Sequence, residues 1–376
     1  MTIETKTAST LEVLSLDPLS DQVSVDAWQK LSEAALDPNP FYGPAFLRAF
    51  LEHMPGYAAR LIVVKDQATG DWLMAAPIRR HRPGILLPVN SSLATDYAPL
   101  GTPLLHPEAQ ENVVSTFFRK ASGWQNVLTV PFLPLSSETA RRMQSVSGIH
   151  CAVTVKTERA CHWGGAEGQA QFASAFKGKR RKELRRLLRR LGDDDQVKFE
   201  HLSGLDVIEG FEAFLQLEAT GWKGRVGTAL VNQDSTAAFA RKAIAGLAAS
   251  NNVRLDQLWS GDRLVASIVM IQQRGNSFSW KIAYDEAFSR YSPGVQIAMQ
   301  AFRQNLEMPG FRFADSLAIP GHAMIEPLWK GRLETGTLLM ADGTLGGALQ
   351  KLCSADIAAK EDLRRRARLI KQRLSA

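Results

Sequence analysis

Cysteine is scarce, with three in 376 residues: Cys151, Cys161 and Cys353. An odd number without metal-ligand spacing excludes the disulfide framework of a small secreted domain. Cys161-His162 is the one adjacent pair of soft ligands, and no cysteine has a histidine partner evident in sequence. Neither a metal site nor a thiol nucleophile is expected. Long apolar runs are missing too. None reaches the roughly 18 consecutive residues that a spanning helix needs. The N-terminal stretch MTIETKTASTLEVLSLDPLS has no basic n-region and no apolar h-region, so no secretory signal is expected. A reducing, cytoplasmic setting follows, peripheral to the inner face of the membrane at most. The first half contains no catalytic triad, glycine-rich phosphate loop or metal cluster.

What is present is ordinary in bulk: 45% apolar and 22% charged residues, which suits a soluble globular protein of two domains. The net charge of +7 is unevenly spread. Lys177 to Arg190 holds nine basic residues against Glu183, and Lys351 to Arg373 holds eight basic and three acidic. Either cluster suits an anionic partner, or is a solvated helix face.

Helical spacing is expected over 25–36, 45–53, 108–122, 206–220, 235–250 and 295–306. Strands are expected at 59–65 and 72–79 as a hairpin, at 127–130, 151–157, 197–202, 253–259, 264–272, 277–284 and 311–317. Arg274-Gly275-Asn276 marks a tight hairpin between two of these. Leu184, Leu187, Leu188 and Leu191 form one face of a basic helix that Gly192 closes in the left-handed conformation. Leu363, Ala367, Ile370 and Leu374 share a face of a C-terminal helix whose other face carries Arg364, Arg365, Arg366, Arg368, Lys371 and Arg373. Runs of antiparallel strands between helices predict an α+β fold. Both halves share a helix–hairpin–helix–strand order, which suggests a duplicated unit.

One segment carries chemistry. In SFSWKIAYDEAFSRYSPGVQIAMQAF (277–302) a buried strand ends at Asp285-Glu286 and a short loop opens a helix. Amides at a helix N-terminus and the helix dipole favour an anion. Ser292 is placed to cap, Pro293 suits a first turn, Gly294 admits close approach, and Arg290 adds charge. A pyrophosphate fits there, and a plain turn is the alternative.

The strand–loop–helix–strand order resembles the acetyl-CoA-binding half of GNAT acyltransferases. K-x-A-Y-D-E-x-F-x-x-Y-S-P-G, L-E-x-x-G-W-K-G-x-x-G-T-A (217–229) and the basic helix ending in glycine together resemble the GNAT-like acetyltransferases of cellulose and exopolysaccharide biosynthesis, the CelD/BcsL type. That group is related to the FemAB transferases, which carry tandem GNAT units. The resemblance covers about residues 165–335; before that only N-P-F-Y-x-P-A-F-L (39–47) is similar. It implies a GNAT acyltransferase domain over 165–350; with the repeated order a GNAT-like domain is expected over 1–160, and the residue spacing adds a basic amphipathic helix over 355–376.

The activity so implied is transfer of an acyl group from acyl-CoA, acetyl-CoA first, to an amino-sugar precursor or exopolysaccharide unit. Such a reaction needs a proton acceptor for the attacking amine and donors for the thioester oxygen. Asp285 and Glu286 are the first candidates for the base, then Glu218 and Asp315, with Tyr284 placed to protonate the leaving thiolate. Arg290, Tyr291, Ser292, Pro293, Gly294 and Val295 would hold the pyrophosphate. Trp222, Lys223, Lys281 and Trp329 are substrate-side candidates; no metal is expected. Two alternatives stand beside this. One is a FemAB-like transferase using aminoacyl-tRNA. The other is a non-catalytic module whose arginine-rich end binds an anionic nucleotide, such as a cyclic dinucleotide, or a membrane. No specific nucleic acid is expected as partner.

Overall fold

The computed structural model describes residues 10–374 apart from Phe176, Asp194 and Ala323, and of residues 368–374 the backbone alone. The chain begins with β1 (Leu11–Leu16), α1 (Val25–Ala34), α2 (Pro44–His53), β2 (Arg60–Asp66), β3 (Trp72–His81), β4 (Val89–Ser92) and β5 (Leu104–Leu105). Next come α3 (Glu111–Ser122), β6 (Val127–Pro134), α4 (Glu138–Gln144), β7 (His150–Trp163), α5 (Gly165–Ala175) and α6 (Gly178–Leu191). Then follow β8 (Val197–Ser203), α7 (Asp206–Thr220), α8 (Trp222–Arg225), α9 (Asp234–Ala249), β9 (Val253–Ser260), β10 (Arg263–Gln273) and β11 (Asn276–Tyr284). The chain finishes with α10 (Pro293–Glu307), β12 (Phe313–Asp315), β13 (Gly331–Ala341) and α11 (Gly343–Leu374).

Two compact units result. The first is Met1–Pro44, Gly56–Thr157 and Glu334–Ala376; the second is Ala45–Pro55 and Glu158–Leu333. In the first unit β1, β2, β3 and β4 run antiparallel in order, α3 crosses, and β6 returns parallel to β4. In the second, β8, β9, β10 and β11 run antiparallel in order, α10 crosses, and β12 returns parallel to β11. Helices also separate the first two strands of each series: α1 and α2 lie between β1 and β2, and α7, α8 and α9 between β8 and β9. The repeat glimpsed in sequence is therefore a repeat of topology, and the fold is α+β and GNAT-like.

The crossing helices form for the same reason in both units. In α3 the buried positions include Val113, Val114, Phe117, Phe118 and Ala121; in α10 they include Ile297, Ala298, Ala301, Phe302 and Asn305. Both sets step by whole turns and lay one stripe on a sheet. The second unit has an aromatic core on its other helices. Phe239 meets Phe46 and Phe50 edge-on at 5.3 and 5.1 Å, and Trp280 stacks on Phe211 at 6.4 Å. Edge and stacked pairs of this kind add about 0.5–1.5 kcal/mol each beyond their buried area. Phe46 and Phe50 come from α2, so the second unit draws one of its helices from the first 55 residues.

The hairpin between β10 and β11 is the two-residue turn expected: Arg274 and Gly275 both have positive φ, 50° and 74°. Three expectations need correction. Gly192 follows α6 in the right-handed region (φ −85°, ψ −4°), its N–H bonded back to Leu188 and Arg189 carbonyls. The strand expected over 311–317 shortens to β12, because Asp315 Oδ1 accepts the Leu317 N–H and turns the chain. Trp329, expected on the substrate side, is core together with Leu328. β1 and β13 were not anticipated. In α11 the side chains of Arg368, Ile370, Lys371, Arg373 and Leu374 lie outside the described residues. Among the described residues no helix is long and apolar enough to cross a membrane.

Candidate active site

Strands part company inside the second unit. β11 pairs with β10 along its length, with a register skip at Trp280 opposite the Val269–Met270 step. Such a bulge sharpens the twist and re-aims the side chains beside it. On its other edge β11 pairs with β12 only from Asn276 to Phe278. Residues 279–284 then present backbone polar groups along an edge with no strand partner among the described residues. An unpaired edge is a place where an extended amide-bearing chain adds by pairing.

α7 delivers a carboxylate to this wedge. Val207, Phe211, Phe214 and Leu215 bury one face of the helix, and Glu218 falls on it, 2% exposed. A buried carboxylate needs partners. Oε1 accepts from Lys223 Nζ at 2.8 Å and Oε2 from the Leu230 N–H at 2.8 Å. Lys223 Nζ also donates to the Ile282 carbonyl at 3.1 Å, on the open edge of β11. The turn that brings Lys223 back requires glycine at 224, where a Cβ would overlap the Ala219 carbonyl. The spacing in L-E-x-x-G-W-K-G is thus explained: it returns an ammonium onto the carboxylate five residues before it.

His322 completes the pocket and was missed in sequence. It stands in an irregular stretch after β12, and its one mark is that no other histidine follows His201. Burial, and then the charge of Lys223, hold its pKa below the usual 6.5. Its Nδ1 is buried without a hydrogen-bond partner among the described residues. An orphaned buried nitrogen costs about 1–3 kcal/mol. With Tyr284, Trp222 and Met324, these residues enclose a cavity of about 90 Å³. Trp222 stands at its mouth, half exposed.

The corner between β11 and α10 differs from its expected form. Residues 286–291 coil into a 3₁₀ turn rather than an open loop. Asp285 N–H bonds the Val265 carbonyl at 2.8 Å, Ala287 N–H bonds Asp285 Oδ1 at 2.9 Å, and Ser292 N–H bonds the Ser289 carbonyl at 3.0 Å. Ser292 takes a left-handed conformation (φ 54°, ψ 48°). Its carbonyl accepts from both Val295 and Gln296, and its side chain makes no capping bond. Met324 lies over Gly294 so closely that a Cβ there would overlap its sulfur. The row of free amides expected along this corner is therefore absent in this state, although a pocket does lie beside it. Tyr291 and Pro293 are buried, and Arg290 is exposed with its guanidinium 4.7 Å from the Tyr291 ring.

The remaining candidates are brought to other work. Asp285 caps the 3₁₀ turn and accepts from Arg263 Nε at 2.8 Å. Glu286 accepts from the Trp222 N–H at 3.2 Å and pairs with Arg225, which holds α8 against the corner. Asp315 is buried, bonded to Arg159 Nη1 at 3.2 Å and to the Leu317 N–H. Trp329 is fully buried, edge-on to the His162 ring at 4.6 Å, so it has no face to offer a substrate. Lys281 Nζ lies 5.8 Å from the Trp280 ring. Glu218 is the one carboxylate among the candidates that lines the pocket, and both its oxygens are occupied. A larger hollow of about 730 Å³ runs along α6 and is lined by Lys179, Lys182, Arg185, Arg186 and Arg189. It is a charged surface with no acid–base pair beyond Glu183. Gln296 Nε2 donates to the Leu184 carbonyl at 2.8 Å and so fixes α6 beside the first turn of α10.

Topology, bulge and parted strands together make a GNAT-like fold. Residues 178–321 match the family model described as an acetyltransferase (GNAT) domain, a span inside the second unit. Among solved structures the chain is similar to FemX (9% identity, TM-score 0.57, covering 91% of this chain and 100% of that one). It is also similar to a conserved protein of unknown function from Bacteroides thetaiotaomicron (11%, TM-score 0.54, 87% and 100%). The C-terminal domain of a candidate lysylphosphatidylglycerol synthetase from Agrobacterium fabrum is a third (13%, TM-score 0.54, 88% and 95%). At these identities the likeness is one of fold. No curated protein matches the chain by sequence.

Proposed function

We propose that the second unit transfers an acyl group from acyl-CoA to an amine, with acetyl-CoA as donor and an amino-sugar precursor or exopolysaccharide unit as acceptor. The observation that carries this reading is the parting of β11 from β12 beside the Glu218–Lys223 pair. A pantetheine arm is an extended chain with two amides, and residues 279–284 have the backbone groups to pair with it. The motif resemblance to polysaccharide-biosynthesis acetyltransferases supports the acceptor class.

In this reading His322 is the base. Its neutral ring takes a proton from the acceptor amine as that nitrogen bonds to the thioester carbon. The Lys223 ammonium faces the charge developing on the thioester oxygen. As the C–S bond breaks, Tyr284 gives its hydroxyl proton to the thiolate, and the imidazolium proton restores the phenol through solvent. Glu218 holds Lys223 in place. Asp285, Glu286 and Asp315 position the corner and strand ends.

The cavity of about 90 Å³ is well below the about 300–1,000 Å³ of a ligand pocket. Donor entry thus requires Met324 to leave Gly294, and the pyrophosphate then meets Gly294 and Arg290. A second reading takes the acyl group from aminoacyl-tRNA, and the basic face of α6 beside the corner favours it. Calorimetry with acetyl-CoA, followed by thiol release in the presence of amino sugars, tests the first reading. Saturable binding with acceptor-dependent release is expected. No binding at millimolar donor, together with deacylation of charged tRNA, would replace the first reading by the second.

A further inference from the structure

We propose that the first unit docks on an anionic lipid surface through one face of α11 and the loop before β4. This stands independently of the acyl donor. The inner face of α11 is accounted for: Cys353 and Ile357 pack with Val89, Val127, Leu339 and Ala341. A different face carries Leu345, Leu352 and Leu363, which are 73%, 60% and 57% exposed. Their separations of seven and eleven residues are about two and three whole turns, so they form one line along the helix.

The loop is held beside that line by design of the backbone. Asp356 accepts from the amides of Ile85, Leu86 and Leu87 at 3.0–3.2 Å, and Lys360 Nζ donates to the Pro83 carbonyl at 2.9 Å. Three successive amides on one carboxylate fix the loop while Leu86 stays 71% exposed and Ile85 43%. Holding such side chains in water is unfavourable unless something covers them.

Charge selects the occupant. Asp356 is spent on the loop amides. Glu361 and Asp362 pair with Arg364, Arg365 and Arg366 at the surface; such pairs are weak and leave the guanidinium groups 60–72% exposed. The helix continues through a stretch that is basic in sequence. A second copy of the chain would set this arginine cluster against its like, whereas anionic head groups complement it. Apolar side chains in line with flanking cations are the arrangement of a helix lying in a membrane interface.

Sedimentation of the full chain with vesicles tests this, comparing phosphatidylcholine alone with a phosphatidylglycerol mixture. Binding to the anionic vesicles alone, weakened by salt, is expected. Arg364→Gln with Arg365→Gln and Arg366→Gln should lower affinity by about a hundredfold, at about fivefold per arginine. Leu86→Asp with Leu352→Asp should lower it by about tenfold or more with the melting curve unchanged, since both sites are exposed. Equal binding to both vesicles, or none at millimolar lipid, overturns the proposal. So does self-association that Leu352→Asp abolishes, which would make the face a contact between copies.

Discussion

Met324 covers Gly294: the thioether sits where the first atom of any side chain at 294 would stand. The residue that lets a ligand approach the first turn of α10 is thus occupied from within the chain. If Met324 is the group that acyl-CoA displaces, trimming it makes displacement easier. Met324→Ala is expected to tighten acetyl-CoA binding several-fold, read by calorimetry. Gly294→Val is expected to weaken it by about tenfold, a loss of about 1.4 kcal/mol, because the new side chain takes the place the donor needs. An unchanged dissociation constant in both variants would place the donor elsewhere.

His322 provides a pH signature. Its pKa is held below 6.5 by burial and then by Lys223, so the neutral, proton-accepting form persists to lower pH than for a free imidazole. The rising limb of kcat/KM against pH should have its midpoint below 6.5. In Lys223→Met, made with Glu218→Gln so that no buried carboxylate is left unpaired, the midpoint should move upward. His322→Ala should lower kcat/KM by about a hundredfold or more. A midpoint that ignores the removal of Lys223 would rule out His322 as the base.

The two tryptophans proposed for the acceptor should behave oppositely. Trp222→Ala, at the pocket mouth, is expected to raise KM for the acceptor and leave the melting curve in place. Trp329→Ala empties a fully buried site beside His162 and Phe302, and is expected to cost about 3–5 kcal/mol of stability. Urea unfolding and steady-state kinetics on both variants decide this.

Acid should weaken the second unit through His162. Its ring is 3.8 Å from that of Phe302, centroid to centroid, and burial pushes its pKa down to about 3. The folded state keeps this ring neutral, while the unfolded chain protonates it below about 6.5. Between those values the unfolded state binds the extra proton, so stability falls as pH falls, by up to about 1.4 kcal/mol per unit. From pH 6.5 to 5 the loss is about 1.6 kcal/mol, and His162→Phe should remove it. Equal acid sensitivity in the variant would assign the effect to other groups.

What was legible in the sequence was whatever depends on local pattern. Stripes such as Ile297–Ala298–Ala301–Phe302 and the Arg274-Gly275 turn locate α10 and the hairpin directly, and their order yields the repeated topology. The site was less legible because its parts meet through tertiary contacts. Glu218 and Lys223 could be singled out from a local motif, yet their bond to each other and to Ile282 depends on where α7 lies on the sheet. Asp285 looked like a free base at a strand end; Arg263, 22 residues away, claims it. His322 lies in no local pattern, and its burial beside Lys223 is a tertiary fact. The corner amides failed as a prediction because a left-handed Ser292, unusual for a residue with a Cβ, turns its own carbonyl into the helix.

The way residues are shared between the units bears on how the protein is made. Phe46 and Phe50 belong with the second unit, and Glu334–Ala376 with the first. Neither hydrophobic interior is encoded by an unbroken stretch of gene. During translation the early segment that completes the later core waits for residues 158–333, and the early core waits in turn for the segment after them. A nascent chain stalled at residue 158 would expose aromatic surface in search of partners.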